Sequence, residues 1–210
     1  MTNGPLKLAI PKGRVLDEAV ALFGKAGIDL SALKANTRRL IFELPAHQLR
    51  VLVVRDADVP TYVEYGAADV GIAGRDVLEE QGRDLYEPLD LGIGRCRLCV
   101  AEPAGARATD DEGHLRYATK FPNLTRRYLE KHGIVADVIK LYGSIELGPL
   151  TGLAHRIVDL VSSGETLRQH KLVEVDTLLE VSARLVVNRA SLKLRRAPID
   201  SLLARLRAVV

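Results

Sequence analysis

One segment changes from an apolar run to hydroxyl-bearing residues and glycine. It reads Ile157-Val158-Asp159-Leu160-Val161-Ser162-Ser163-Gly164-Glu165-Thr166-Leu167. The pattern predicts a strand, a tight turn and a helix start, where backbone N–H groups and hydroxyls converge on an anion such as a phosphate monoester. Asp159, at the end of the predicted strand, could accept hydrogen bonds from ribose hydroxyls. A plain capped helix is the alternative, because Ser and Thr are good N-caps.

A second strand-to-helix corner carries two basic residues around a glycine, in Ile10-Pro11-Lys12-Gly13-Arg14. Gly13 permits close approach of a ligand to the backbone. Lys12 and Arg14 could donate charge-assisted hydrogen bonds to phosphate or carboxylate. A solvated basic corner is the alternative interpretation.

A third region combines charged and small residues at both ends of a predicted strand. It comprises Arg55-Asp56-Ala57-Asp58-Val59-Pro60 and then Gly66-Ala67-Ala68-Asp69-Val70-Gly71-Ile72-Ala73-Gly74-Arg75-Asp76. Gly71 and Gly74 would let a planar ligand lie against the backbone. Close packing between strand and helix is the alternative.

Cysteine and histidine do not predict a metal or redox centre. Cys96 and Cys99 form a C-x-x-C pair, but zinc requires two further ligands and residues three apart on a strand face opposite sides. Two thiols without a disulfide framework are typical of a reducing cytoplasm. We interpret the five scattered histidines as structural: His47, His114, His132, His155 and His170.

Strands and helices alternate along the chain, which predicts βαβ units and a mostly parallel sheet. The predicted strands are 6–10, 49–54, 68–73, 97–101, 116–119, 135–141 and 157–161, with two more within 172–188. The predicted helices are 15–26, 59–65, 75–81 and 122–131, one from Glu165 onward, and a terminal one over 198–210. A polar loop is expected over 102–113.

The pattern changes near Leu91-Gly92-Ile93-Gly94, where a second α/β series begins. We therefore expect two lobes, one formed by residues 1–94 plus about 181–210 and the other by 95–180. A cleft between the lobes is where a ligand would bind.

The amino-acid composition is typical of a globular protein. The 210 residues are 47% hydrophobic and 27% charged, with a net charge of +3, six Tyr, three Phe and no Trp. These values argue against extended disorder and give little support for nucleic-acid binding. No apolar run approaches the ~20 residues of a membrane helix, and no secretion signal precedes the first strand, so we expect a cytoplasmic protein.

Four segments together resemble the ATP phosphoribosyltransferases, which open histidine biosynthesis. They are residues 9–14, 58–76, 118–125 and 146–167. The resemblance implies an α/β, two-lobed periplasmic-binding-protein type II-like fold with the active site in the inter-lobe cleft. It also implies that adenine N1 of ATP displaces pyrophosphate from phosphoribosyl pyrophosphate (PRPP), with Mg²⁺ as cofactor.

The resemblance also assigns residues to the two substrates. Arg55 and Asp159 would be catalytic, Arg55 at the leaving pyrophosphate, and no metal ligand is identified. PRPP would contact Glu146, Asp159, Val161, Ser162, Ser163, Gly164, Glu165 and Thr166, with Glu146 near sugar hydroxyls or the metal. ATP and its polyphosphate would contact Lys12, Gly13, Arg14, Arg55, Asp69, Gly71 and Gly74.

Three positions depart from the family pattern. Gly148 stands where Ala commonly precedes Pro149, His155 where an acidic residue is common, and Ser163 where Thr often precedes the loop glycine. The Ser163 hydroxyl keeps the chemistry of Thr, whereas His155 receives no role.

Length favours the short form of the family, which lacks a C-terminal regulatory domain. That form implies a separate regulatory subunit related to histidyl-tRNA synthetase, a hetero-octamer, and a homodimer of this chain. Residues 181–210 carry seven Lys or Arg and one acid. This basic end could be a solvated face, line the cleft, support the homodimer or contact the partner.

Two other functions fit the same residues. A solute-binding or sensor domain of the same fold would use the cleft without catalysis. A phosphoribosyltransferase acting on a different base would share the phosphate loop.

Overall fold

The computed structural model describes residues 4–35, 38–105 and 115–210. His114 and most of the predicted polar loop lie outside these residues. The chain forms two compact units. Unit 1 comprises Met1–Leu78, Gly82–Gly94 and Ser182–Val210, and unit 2 comprises Glu79–Gln81 and Arg95–Val181.

The described part of the chain contains eleven strands and eight α-helices. The strands are β1 (Leu6–Pro11), β2 (Ile41–Leu44), β3 (Leu49–Val54), β4 (Val70–Gly74), β5 (Tyr86–Asp90), β6 (Cys96–Pro103), β7 (Leu115–Thr119), β8 (Ala136–Lys140), β9 (Arg156–Val161), β10 (Leu172–Val181) and β11 (Ala183–Val187). The helices are α1 (Arg14–Lys25), α2 (Val59–Glu64), α3 (Arg75–Gln81), α4 (Pro122–His132), α5 (Leu147–Leu150), α6 (Glu165–Gln169), α7 (Arg189–Leu194) and α8 (Arg196–Arg207).

Unit 1 is built on a six-stranded sheet in the order β2-β3-β1-β4-β11-β5. The inner strands β3, β1 and β4 run parallel, whereas β2, β11 and β5 pair antiparallel with their neighbours. Successive residues of β1 face opposite sides of this sheet. Leu8 and Ile10 therefore enter one apolar cluster and Ala9 enters another, so both faces of the sheet are covered.

Unit 2 is built on a five-stranded sheet in the order β10-β6-β9-β7-β8. The strands β9, β7 and β8 run parallel, while β6 pairs antiparallel with both β9 and β10. Apolar clusters again cover both faces, one around Ile157 and the other around the fully buried Tyr117.

The prediction of a mostly parallel sheet is wrong, because both sheets are mixed. Two long-range pairings make the difference: β11 enters unit 1 antiparallel between β4 and β5, and β6 enters unit 2 antiparallel between β10 and β9. The alternation of strands and helices signals parallel connections but carries no information on strands that pair across a long stretch of chain.

The predicted elements are all present with small shifts in their bounds, and the sequence missed four short ones. These are β2, β5, α5 and α7, of four to six residues each. The strands β2 and β5 lie at the two edges of the unit 1 sheet and are partly exposed, which weakens their apolar pattern. Helix α8 begins at Arg196 rather than Pro198, since proline is tolerated in the first turn of a helix.

No helix in the described ranges is long and apolar enough to cross a membrane.

Candidate active site

The carboxyl ends of β9, β7 and β8 lie side by side at one edge of the unit 2 sheet. The register pairs Thr119 with Val158 and with Lys140, so the segments that follow these strands emerge together. They supply Lys120, the turn leading to Glu146, and the loop Ser162-Ser163-Gly164, which we call the phosphate loop. Ligands of α/β proteins commonly bind outside the carboxyl ends of parallel strands.

The conformation of the phosphate loop depends on Gly164. Its φ of +75° is left-handed, which a side chain would strain. The Glu165 N–H donates to the Ser163 hydroxyl at 3.3 Å, and α6 begins there. The Glu165 carboxylate instead pairs with Arg168 at 2.7 Å, which lowers its pKa. Ser162, Ser163 and Thr166 are exposed, so their side chains lie at the surface of this edge of the sheet.

Asp159 and Glu146 form a carboxylate pair at the same edge. Burial raises the pKa of Asp159, the Leu160 N–H that donates to it at 2.8 Å lowers it, the charge of Glu146 raises it, and the charge of Lys120 lowers it. The net shift is upward. A half-buried acceptor next to a second carboxylate suits sugar hydroxyls or the positive charge of a reacting sugar ring.

Val161 ends β9 with its side chain inside the core, so only its backbone reaches the phosphate loop. Gly148 lies against the same core: a Cβ there would come within 3.1 Å of the Ala118 Cβ. The departure from Ala at this position therefore lets α5 pack closely on the sheet that carries the carboxylate pair.

Arg97 is a residue at this edge that sequence analysis missed. It lies on β6, and its guanidinium donates to both carboxylate oxygens of Glu174 at 2.6 Å and to the Ser162 carbonyl at 3.4 Å. The hydrogen bond to Arg97 lowers the pKa of Glu174. Glu174 lies 77 residues away in the chain, so no local signal could have indicated the contact.

Unit 1 also brings basic residues to the carboxyl ends of its parallel strands. The Lys12 N–H donates to the Val54 carbonyl at 3.1 Å, so Lys12 and Arg55 leave adjacent strands together. Both side chains are exposed and make no polar contact with the part of the chain that the structure describes. Gly13 follows with φ +87° and ψ −150°, a conformation essentially restricted to glycine.

Arg14 faces a structural partner within unit 1. Its guanidinium donates to the Gly94 carbonyl at 3.3 Å and lies 3.6 Å from Glu18, while Glu18 accepts the Gly94 N–H at 2.7 Å. Arg14 thus links the start of α1 to the end of the Leu91–Gly94 segment.

Asp69 lies away from these basic residues. Asp69 precedes the amino end of β4, whereas Lys12 and Arg55 follow the carboxyl ends of β1 and β3. Because β1 runs parallel to both β3 and β4, Asp69 lies at the opposite end of the strands from Lys12 and Arg55. Its buried carboxylate accepts from Ser191, Arg195 and the Lys7 N–H at 2.7 to 2.9 Å. The structure therefore shows the acceptor atoms of Asp69 engaged within the fold, and its contact with the nucleotide stays a prediction.

Gly71 and Gly74 are packing positions. A Cβ on Gly71 would come within 2.8 Å of methyl groups of Val63 and Val59, so β4 packs closely against α2 at this position. A Cβ on Gly74 would lie 2.2 Å from Asp76 Oδ1. Gly74 does end β4 at the carboxyl edge, where its backbone alone could meet a ligand.

His155, His47 and Cys99 each have a hydrogen-bond partner within the fold. His155 Nδ1 accepts the Arg116 N–H at 3.0 Å, at the opposite end of β9 from the phosphate loop. His47 Nε2 accepts the Asp29 N–H at 3.0 Å. Burial and the carboxylate of Glu174 raise the pKa of the Cys99 thiol to about 12. No group of three or more His, Cys, Asp or Glu within residues 4–35, 38–105 and 115–210 could hold a metal ion.

Solved structures share this architecture. The ATP phosphoribosyl transferase (HisG:HisZ) complex from Thermotoga maritima matches with a TM-score of 0.83 and 36% identity, over 97% of this chain and 98% of that one. The periplasmic VFT2 domain of Bordetella pertussis BvgS matches with a TM-score of 0.57 and 15% identity, over 98% and 87%, and indicates the fold alone. The predicted two-lobed, periplasmic-binding-protein type II-like α/β fold is confirmed.

Curated relatives match along nearly their whole length. The chain is 58% identical over 201 residues to the ATP phosphoribosyltransferase of Geobacter metallireducens, covering 94% of this chain and 95% of that protein. It is 54% identical over 215 residues to that of Acidithiobacillus ferrooxidans, covering 100% and 99%. The family model described as ATP phosphoribosyltransferase matches residues 55–208. The chain belongs to the ATP phosphoribosyltransferase family.

Proposed function

We propose that this chain catalyses the transfer of the phosphoribosyl group of PRPP to ATP, the first step of histidine biosynthesis. The observation that carries the proposal is the carboxyl edge of unit 2, where the phosphate loop and the Asp159–Glu146 pair come together in a member of this family. A phosphate monoester and a ribose diol are the two features of PRPP that these groups can bind.

The reaction exchanges one bond at the anomeric carbon. The bond from adenine N1 to C1 of the sugar forms as the C1–O bond to pyrophosphate breaks, and the leaving oxygen keeps the electron pair. Positive charge develops on the ribose ring and negative charge on pyrophosphate. The enzyme therefore has to align the reactants and stabilise these two charges, and no covalent intermediate with the protein is needed.

Each set of residues suits one part of this task. The phosphate loop would hold the 5-phosphate, with Asp159 and Glu146 accepting from the ribose hydroxyls and stabilising the positive ring. Arg55 and Lys12, exposed at the carboxyl edge of unit 1, would bind polyphosphate oxygens, and Arg55 would stabilise the leaving pyrophosphate. Gly13 would give the phosphates access to the backbone.

A divalent cation, which we propose to be Mg²⁺, fits as a partner of the substrate. Mg²⁺ at phosphate sites is held by substrate oxygens and one or two carboxylates, which the Asp159–Glu146 pair can supply without a cluster of three protein ligands. The cation would neutralise charge on the pyrophosphate.

We also propose how this chain is regulated and where it is located. We infer a separate regulatory subunit related to histidyl-tRNA synthetase, in a hetero-octamer that contains homodimers of this chain. The HisG:HisZ complex from Thermotoga maritima supports a second type of subunit. The two free cysteines support a cytoplasmic location.

The test is product formation by the purified chain with ATP, PRPP, Mg²⁺ and pyrophosphatase, with mass spectrometry of the adduct. We expect phosphoribosyl-ATP, and no adduct from free bases supplied in place of ATP. The matched control is Asp159→Asn, which should abolish the product. Binding of both substrates without an adduct, even with the regulatory subunit added, would contradict the proposal and favour a solute-binding protein.

A further inference from the structure

Arg97 lies beside the phosphate loop without belonging to it. On β6 its register partners are Val161, the last residue of β9, and Glu180 of β10. From there the guanidinium reaches the carbonyl of Ser162, the first residue of the phosphate loop, at 3.4 Å. The contact joins residues 65 positions apart in the chain.

The contact favours one orientation of a peptide group. The Ser162–Ser163 peptide is trans, so the Ser162 carbonyl and the Ser163 N–H point in opposite directions. With the carbonyl turned towards Arg97, the Ser163 N–H points away from Arg97. Under the proposed function that N–H is one of the donors to the phosphate monoester, and a donor oriented in advance does not have to be ordered when the ligand binds.

Glu174 holds Arg97 in this position. Both Glu174 oxygens accept from the guanidinium at 2.6 Å, and Glu174 Oε1 also accepts from the Cys99 thiol at 2.9 Å. A bidentate arginine–carboxylate pair has a defined geometry. It also compensates the charge of Arg97, which makes Arg97 better suited to orient the loop than to bind phosphate as a free cation.

We propose that Arg97, held by Glu174, is a positioning residue that orients the Ser162–Ser163 peptide of the phosphate loop for the 5-phosphate of PRPP. The inference rests on the proposed function. It predicts an effect on the sugar-phosphate end of PRPP and none on pyrophosphate or ATP.

The experiment compares wild type, Arg97→Ala, Arg97→Lys and Arg116→Ala, with the regulatory subunit present if turnover requires it. Arg116 is the matched control because its guanidinium also donates to backbone carbonyls, those of Leu153 and Gly152 at 2.9 and 3.1 Å, at the opposite edge of the same sheet. Steady-state kinetics would be combined with calorimetric titration of ribose 5-phosphate and of pyrophosphate.

For Arg97→Ala we expect KM for PRPP and Kd for ribose 5-phosphate to rise about tenfold, the size of one or two lost hydrogen bonds. The value of kcat and Kd for pyrophosphate should stay within about twofold, the pattern of lost ground-state binding. Arg97→Lys should be intermediate, because an ammonium cannot replace the fork. Arg116→Ala should leave all four quantities unchanged.

Equal PRPP kinetics for Arg97→Ala and Arg116→Ala would overturn the inference, as would a loss confined to kcat. If Arg97→Ala does not fold, Glu174→Gln replaces it, and an unchanged KM for PRPP there would also overturn it. Failure of wild type to bind ribose 5-phosphate or PRPP would instead reject the proposed function itself.

Discussion

Asp69 and Arg195 form an ion pair of 2.7 Å, with side chains that are only 8% and 11% exposed. Arg195 also donates to the carbonyls of Gly4 and Pro5, and Asp69 accepts from the Ser191 hydroxyl. The pair therefore connects the start of β4 to the C-terminal helices and to the segment before β1. A carboxylate that its motif associates with a ligand is used by the fold.

Removing one partner of this pair should strongly destabilise the protein. Asp69→Asn leaves the Arg195 charge buried and unpaired, and we expect a loss of about 3–5 kcal/mol in the free energy of unfolding. Urea unfolding followed by circular dichroism measures it. Arg196→Ala, which breaks the exposed Arg196–Asp200 pair, is the control and should cost less than about 0.5 kcal/mol. Equal losses for the two variants would contradict the structural role of Asp69.

Gly71→Ala should destabilise unit 1 by overpacking. The added Cβ would lie 2.7 Å from a methyl of Val63, and overpacked cores lose about 1–3 kcal/mol. Gly24→Ala is the matched control: Gly24 lies in α1 with no atom within 4 Å of the added Cβ, and alanine there should stabilise by about 0.5–1 kcal/mol. Thermal unfolding should therefore shift in opposite directions, and a stabilising Gly71→Ala would refute close packing.

Asp159→Asn should raise stability while abolishing PRPP use. Because the folded pKa is raised, the native state binds a proton more tightly than the unfolded state, so stability falls as pH rises from the unfolded value of 3.8 through the folded pKa. Asparagine removes this cost at neutral pH, and each kcal/mol regained should raise Tm by roughly 2–4 °C.

Tm should be measured at pH 7 and at pH 3 without metal. The increase in Tm of Asp159→Asn over wild type should be present at pH 7. It should vanish at pH 3, where Asp159 is protonated in both the folded and the unfolded state. A lower Tm for Asp159→Asn at pH 7 would show that the carboxylate stabilises the fold.

Arg55→Ala should lower kcat by about 10²–10³-fold, the usual cost of removing one donor to transition-state charge. KM for ATP should change little if Arg55 acts on the leaving pyrophosphate. Arg50→Ala is the control, since Arg50 lies on β3, the strand that Arg55 follows, and pairs on the surface with Glu43 at 2.6 Å. An increase in KM for ATP with kcat unchanged would make Arg55 a nucleotide-binding residue instead.

Cys99 should resist alkylation in the folded protein. With its pKa raised to about 12, the thiol stays protonated at pH 8, and only the thiolate reacts. Iodoacetamide labelling followed by peptide mass spectrometry should show Cys99 modified in urea and protected without it. Equal labelling rates in the two conditions would contradict the burial of this thiol.

The sequence by itself determined most of the strands and helices and the residue types that the candidate site offers. Apolar runs such as 49–54 predict strands because the pattern that identifies a strand lies within its own residues. The phosphate loop is likewise contained in consecutive residues, from Asp159 to Thr166. The Gly164 turn and the exposed hydroxyls follow from residue types alone, and the four motifs sufficed to identify the family.

Only the tertiary structure decided which residues share an edge and which atoms are already in use. Asp69 meets Arg195 across 126 positions, and Arg97 meets Ser162 across 65. Both contacts depend on the pairing of strands that lie far apart in the chain. Such pairing leaves no periodic pattern in the sequence. Residue types state only which hydrogen bonds are possible, whereas the fold sets the partners. The fold gives Asp69 the partner Arg195 and brings Arg97 to the Ser162 carbonyl.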